Sequence, residues 1–258
     1  MKYNRFLPLL VPGLVFLLLE VFYFKPKLIY VILVLIILLY FFTVRQFLVA
    51  VETKEKLYNF ILLPAYFTIG LVTFSTMVPR ESGAGKFLLQ LFFVLNAGFV
   101  YLYLRSIYHY INKHSFYKKY SLKNISSYGN FLAFYFLVSS VYGLQSFLNT
   151  PIWLLMMALL IFSGMIIHEI IWSNQINTET GLFYMLIFCL VIIELSWSVS
   201  FLTLSYYVLG LIMAVCYYIF VGLLRFYLLG NLNKKIIKLY LIFGSLSLVL
   251  VLFTARWI

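Results

Sequence analysis

The sequence predicts an all-helical bundle that crosses a membrane nine times, and three observations predict it. Apolar residues make up 65% of the chain and charged residues only 10%, against roughly a quarter charged in ordinary soluble chains. The apolar residues gather into nine runs, each close to the about 17–25 residues that carry a helix across a hydrocarbon layer roughly 30 Å thick. A helix satisfies its own backbone groups where no water can. The lysines and arginines, finally, fall mostly between the runs.

The first span, about 6–24, follows Met1-Lys2-Tyr3-Asn4-Arg5 and begins like a secretory signal. No small-residue cleavage site follows it, Glu20 interrupts it and a second span starts almost at once, so it reads as a retained helix. Lys25-Pro26-Lys27 forces a tight charged turn into the second span, about 28–44. The third span, about 58–78, ends at a polar, glycine-bearing loop from Pro79 to Lys86. The fourth and fifth, about 87–108 and 127–148, flank a basic loop, and Thr150-Pro151 leaves hardly any connection before the sixth, about 152–171. The seventh, eighth and ninth follow at about 182–203, 206–228 and 236–253. Short connections imply antiparallel neighbours. The spans leave no stretch for a separate soluble domain, so residues 1–258 read as a single transmembrane helical domain.

Inside the spans, Pro8, Pro12 and Pro64 are expected to be tolerated by neighbouring helices. Ser139 with Gly143, Ser196 with Ser200, and Gly210 with Ala214 are small residues at four-residue spacing, which predicts close helix contacts. No repeated or inverted half is evident, which weakens the common transporter architectures. Cys189 and Cys216 both lie in apolar runs and read as packed thiols.

A net charge of +12 would suggest nucleic acid in a soluble chain. Here it fits orientation, because cytoplasmic loops retain positive charge. One side carries Lys2, Arg5, Arg45, Lys54, Lys56, Arg105, Lys113, Lys118, Lys119, Lys123, Arg225, Lys234, Lys235 and Lys238, which is 14 of the 19 basic residues. The other carries Lys25, Lys27, Arg80, Lys86 and Arg256. The N-terminus is therefore expected in the cytoplasm and the C-terminus outside, provided that the last run crosses. Partners are expected to be membrane lipids, with anionic headgroups on the cytoplasmic side, and other membrane proteins, with no nucleic acid.

Ionisable groups within the bilayer cost several kcal/mol unless paired, protonated or hydrated, and so point to function. At about 1.5 Å per residue, Glu194, Glu20 and Asn96 lie about 18, 21 and 16 Å from the cytoplasmic boundary, near the midplane. Ser139 and Ser140 share that layer. Glu194 and Glu20 suit proton-coupled transport; alternatively each ties helices together by hydrogen bonds, or Glu20 reaches the outer headgroups. Trp197, one turn beyond Glu194, is expected in buried packing, while Trp153, Trp172 and Trp257 sit at span ends as an aromatic belt places them.

A second group lies at the cytoplasmic ends: Arg45, Arg105, His168, Glu169 and Arg225. The arginines either snorkel to headgroups or converge, with Glu169 orienting one of them, into a phosphate or lipid-headgroup pocket. His109 and His114 lack the spacing of a helical metal pair. No metal or cofactor is expected. Ser82-Gly83-Ala84-Gly85-Lys86 resembles the tail of a phosphate loop, but Arg80 stands where the first glycine belongs. Neither Gly-x-Ser-x-Gly nor His-Glu-x-x-His occurs. Asn124-Ile125-Ser126 matches the glycosylation pattern on the predicted cytoplasmic side and reads as chance.

The stretch Gly222-Leu-Leu-Arg225-Phe-Tyr-Leu-Leu-Gly230-Asn-Leu-Asn-Lys-Lys235, with the last span and Thr254-Ala255-Arg256-Trp257, resembles a family of uncharacterised multi-pass membrane proteins, a domain of unknown function, from genome-reduced candidate-phylum bacteria. Outside that stretch the likeness is one of span layout. It implies a bacterial cytoplasmic membrane and carries over no catalytic residue. Three functions are expected in order: a non-catalytic accessory or scaffold component; a small-molecule or lipid transporter using Glu194; and a lipid-modifying enzyme using Arg105, His168, Glu169 and Arg225.

Overall fold

The computed structural model describes residues 6–49, 57–112, 121–174, 176 and 178–255. Lys2, Arg5, Lys54, Lys56, Lys113, His114, Lys118, Lys119, Arg256 and Trp257 lie outside the described residues. Among the described residues, nine helices are long and apolar enough to cross a membrane, so the chain is an all-α, multi-pass membrane protein. They are α1 (Leu7–Phe24), α2 (Ile29–Val49), α3 (Leu57–Ser75), α4 (Gly83–Asn112), α5 (Leu122–Leu148), α6 (Ile152–Ser173), α7 (Thr178–Val199), α8 (Tyr206–Leu228) and α9 (Lys234–Thr254).

The helices match the nine predicted runs, and most differences are at their ends. α4 begins four residues before the predicted boundary and α5 five residues before it, because polar residues too hydrophilic to count as span still continue the helix. Ser82 caps α4 by accepting from the Gly85 amide at 3.0 Å. α7 has the expected length but begins and ends four residues earlier, stopping at Val199, where Ser200, Phe201 and Leu202 close a turn onto Ser196, Ser198 and Val199. Asn149, at φ 49°, reverses the chain between α5 and α6, a conformation that asparagine tolerates better than most residues. α1 and α3 run continuously through Pro12 and Pro64.

The chain divides into two compact units, Met1–Asn130 and Phe131–Ile258. In the first, a single 3-10 turn at Pro26–Leu28 folds α2 back along α1, and α1 packs on α4 while α2 packs on α3. Its core is aromatic. Phe67 stacks on Phe99 at 4.1 Å, and Phe99 in turn on Tyr103 at 5.9 Å. Gly129 admits that column, since a Cβ there would stand 2.5 Å from the Phe99 ring.

In the second unit α6 and α7 form a hairpin, α7 packs on α8, and α8 on α9. Phe134 of α5 stacks on Tyr217 of α8 at 4.3 Å. The small residues flagged by spacing meet here: a Cβ on Gly210 would lie 1.9 Å from Ser139 Oγ and 2.9 Å from its Cα. α9 is held by the same device, with Gly222 against Tyr240 and Gly244 against Ile219. Only 6% of its spanning window is buried, so almost all of its surface is left for lipid.

Candidate functional site

Three polar places emerge inside these helices, and they differ in what holds them. In the first unit Tyr40, Thr68 and Asn96 bring α2, α3 and α4 together and are all buried. Thr68 donates its hydroxyl hydrogen to Asn96 Oδ1 at 3.1 Å, so across the 2.9 Å contact with Tyr40 it accepts. The chain therefore runs Tyr40 to Thr68 to Asn96. Tyr66 donates to Asn130 Oδ1 nearby, adding α5. Such pairs satisfy polar groups that hydrocarbon cannot, and they fix helix register.

Glu20 is elsewhere in that unit. Gln90 of α4 donates to its Oε2 at 3.3 Å, and Gln90 precedes Asn96 by six residues, about 9 Å along the axis. Asn96 is central in its helix, whereas Glu20 lies four residues from the end of α1, about 6 Å. The layer expected to hold both is thus two separate levels. Beyond Glu20, Arg80 lies 4.8 Å over the Phe22 ring and donates to the Tyr23 carbonyl at 3.3 Å. Burial there pushes its guanidinium down from the ordinary value, an effect opposed by the nearby Tyr23.

Glu194 belongs to the second unit and is neither buried nor central. With α7 ending at Val199 rather than 203, it stands five residues from the helix end, about 7.5 Å. Helix phase explains its exposure. Phe188, Cys189, Ile192, Ser196 and Val199 face the core, and the Ser196 carbonyl accepts from Tyr142 at 2.8 Å. Each residue turns the helix by about 100°, so Glu194, two before Ser196, points to the opposite side. Trp197 emerges beside it at 56% exposure, which corrects its expected burial.

Together these residues make a groove of about 520 Å³, lined by Ile152, Trp153, Met156, Met157 and Leu160 of α6 and Ile193, Glu194 and Trp197 of α7. The α6 residues recur at spacings of one, four, five and eight, one face of a helix. Trp153 and Met157 are 66% and 60% exposed. No hydrogen bond or ion pair with any described residue engages the Glu194 carboxylate; only its backbone carbonyl is used, by Ser198 at 2.9 Å. No family model, curated protein or solved structure matches this chain. The groove therefore has to be read from its own chemistry: one carboxylate, two indoles, two thioethers and aliphatic walls.

Of the residues predicted at the cytoplasmic ends, Arg45 and Arg105 belong to the first unit and His168, Glu169 and Arg225 to the second. Arg45 is exposed, and Arg105 bonds the Tyr101 hydroxyl of its own helix and lies 5.6 Å over that ring. In the second unit Arg225 lines a cavity of about 10 Å³ with Ile167, Ile171, Tyr184 and Leu228, room for one water and too little for a phosphate. His168 and Glu169 do not line it. Glu169 is buried, as is Tyr217 of α8. Among the described residues no three His, Cys, Asp or Glu side chains gather as a metal site would require. Sequence reasoning missed Tyr40, Thr68 and Tyr217, since tyrosine and threonine in an apolar run carry no positional signal. Of the residues lining the groove, Glu194, Trp153 and Trp197 stood out in the sequence, while Met156 and Met157 did not.

Proposed function

We propose that this chain is a non-catalytic accessory component of the bacterial cytoplasmic membrane that engages other membrane molecules sideways, through the groove between α6 and α7. The observation that carries this reading is the exposed Glu194 carboxylate on an otherwise apolar helix face. A charge facing hydrocarbon is costly, and a bound molecule that covers it removes the cost. Two tryptophans and a methionine pair supply the adaptable apolar contact that binding surfaces favour. The bacterial membrane rests on the resemblance of the C-terminal stretch.

A carrier would need its intramembrane polar groups available to a passing substrate. Asn96 and Glu20 are instead engaged by Thr68 and Gln90, which favours binding over passage. The enzyme reading loses support in the same way, because the cavity beside Arg225 is too small for a headgroup.

Site-specific photocrosslinking tests the proposal. A photoreactive side chain at Met157 in native membranes should give discrete adducts resolved by mass spectrometry. The same probe at Phe243 of α9, 59% exposed, should give only the membrane's average lipid mixture. Identical adducts at both positions would contradict lateral binding in the groove.

A further inference from the structure

We propose that the groove between α6 and α7 takes a lipid with a cationic amine head, its ammonium on the Glu194 carboxylate and its chain along the apolar wall. This rests on the lateral-binding reading and names the occupant. Among the eight residues lining the groove, the only formal charge is the negative one on Glu194. An anionic headgroup there would meet repulsion with nothing to offset it, while an ammonium would neutralise the site. Trp153 and Trp197 add to this. An indole face attracts a cation by about 0.5–2 kcal/mol, more as water is excluded, and tryptophan is the strongest of the three aromatic types.

The shape agrees. From Trp153 to Leu160 is seven residues along α6, about 10 Å, enough for the upper part of an acyl chain. Ile152, Met156, Met157 and Leu160 offer that chain nothing polar. Glu194 lies about 7.5 Å from the end of its helix, and Trp153 is the second residue of α6. Both helices are 22 residues long, about 33 Å, slightly more than the hydrocarbon core. The indoles therefore sit at the upper boundary of the hydrocarbon and the carboxylate about 6 Å inside it, near where a lipid turns from chain to head. A partner helix carrying lysine would satisfy the same charge. The lipid is favoured because the groove is short and at the rim, whereas a helix packs along most of its length.

Native mass spectrometry on the full-length, delipidated protein tests this by titration with phosphatidylethanolamine and with phosphatidylglycerol. The wild type should retain phosphatidylethanolamine about fivefold more tightly. Glu194→Gln should abolish that preference, and Glu194→Lys should invert it in favour of phosphatidylglycerol. An inversion cannot arise from misfolding, and the position is exposed, so the fold should tolerate both changes. No preference in the wild type, or one unchanged in Glu194→Gln, would overturn the proposal. If discrete Met157 adducts persist while the lipid preference is absent, lateral binding stands with another occupant and only this assignment falls. If both are absent, both fall.

Discussion

Gly210→Leu should drive α8 away from α5 and cost the protein about 3 kcal/mol or more, the largest effect expected of any single change. The reason is backbone rather than side chain. Even a Cβ at this position meets Ser139 Oγ at 1.9 Å and Ser139 Cα at 2.9 Å. A side chain can rotate away from a clash, but a helix backbone moves only by separating the helices. In a membrane, that separation sacrifices the van der Waals contact that drives association, since lipid offers no hydrophobic force in its place. Thermal unfolding in detergent should show the midpoint lowered by about 6 °C or more. Gly98→Ala is the matched control: nothing lies within 4 Å of a Cβ there, so it should be neutral or stabilising by about 0.5–1 kcal/mol through helix propensity. A Gly210→Leu protein that melts with the wild type would refute the close α5–α8 contact.

Asn96→Leu should cost about 1–2 kcal/mol. It removes the acceptor at the end of the Tyr40–Thr68–Asn96 chain and leaves the Thr68 hydroxyl, 1% exposed, without its partner. Thr68→Val made in the same protein removes the orphaned donor but deprives the buried Tyr40 hydroxyl of its acceptor, so the double variant should cost more than Asn96→Leu alone and less than the two single changes summed. The cycle formed by the two single variants and the double should give a coupling of roughly 0.5–1.5 kcal/mol. Strict additivity would contradict the bond. Because this network lies in the unit that lacks the groove, Asn96→Leu should leave lipid preference unchanged. That separates polar groups that hold helices together from the one that is available to bind.

The contrast explains what could be read from residues alone. Nine spans were legible because the bilayer imposes one length on every helix, and the small residues at four-residue spacing did mark contacts, as Gly210 against Ser139 demonstrates. The helix ends were less legible, and the error mattered. Counting Glu194 twelve residues into a span begun at 182 placed it near the midplane, whereas α7 begins and ends four residues earlier and brings it nearer the rim. Facing was hidden altogether. An apolar helix in lipid has no polar side to betray its phase, so Glu194 and Trp197 read as interior until Ser196 and its bond from Tyr142 fixed which way α7 turns. Glu20 and Asn96 stood out as polar groups in apolar runs, but nothing in their spacing named Gln90 or Thr68. The cytoplasmic arginines show the same limit: nothing in the spacing named the Tyr101 hydroxyl, one turn back on the same helix, as a partner of Arg105.

If the groove beside Glu194 is an occupied binding site, it must hold a molecule more firmly than ordinary lipid-facing surface does. A density map of the wild-type protein in nanodiscs made with phosphatidylethanolamine tests it most directly. An occupied groove should show ordered, elongated density along Trp153, Met157 and Leu160 that ends within hydrogen-bonding distance of the Glu194 carboxylate. Density in the groove no better ordered than that along the exposed face of α9 would contradict it.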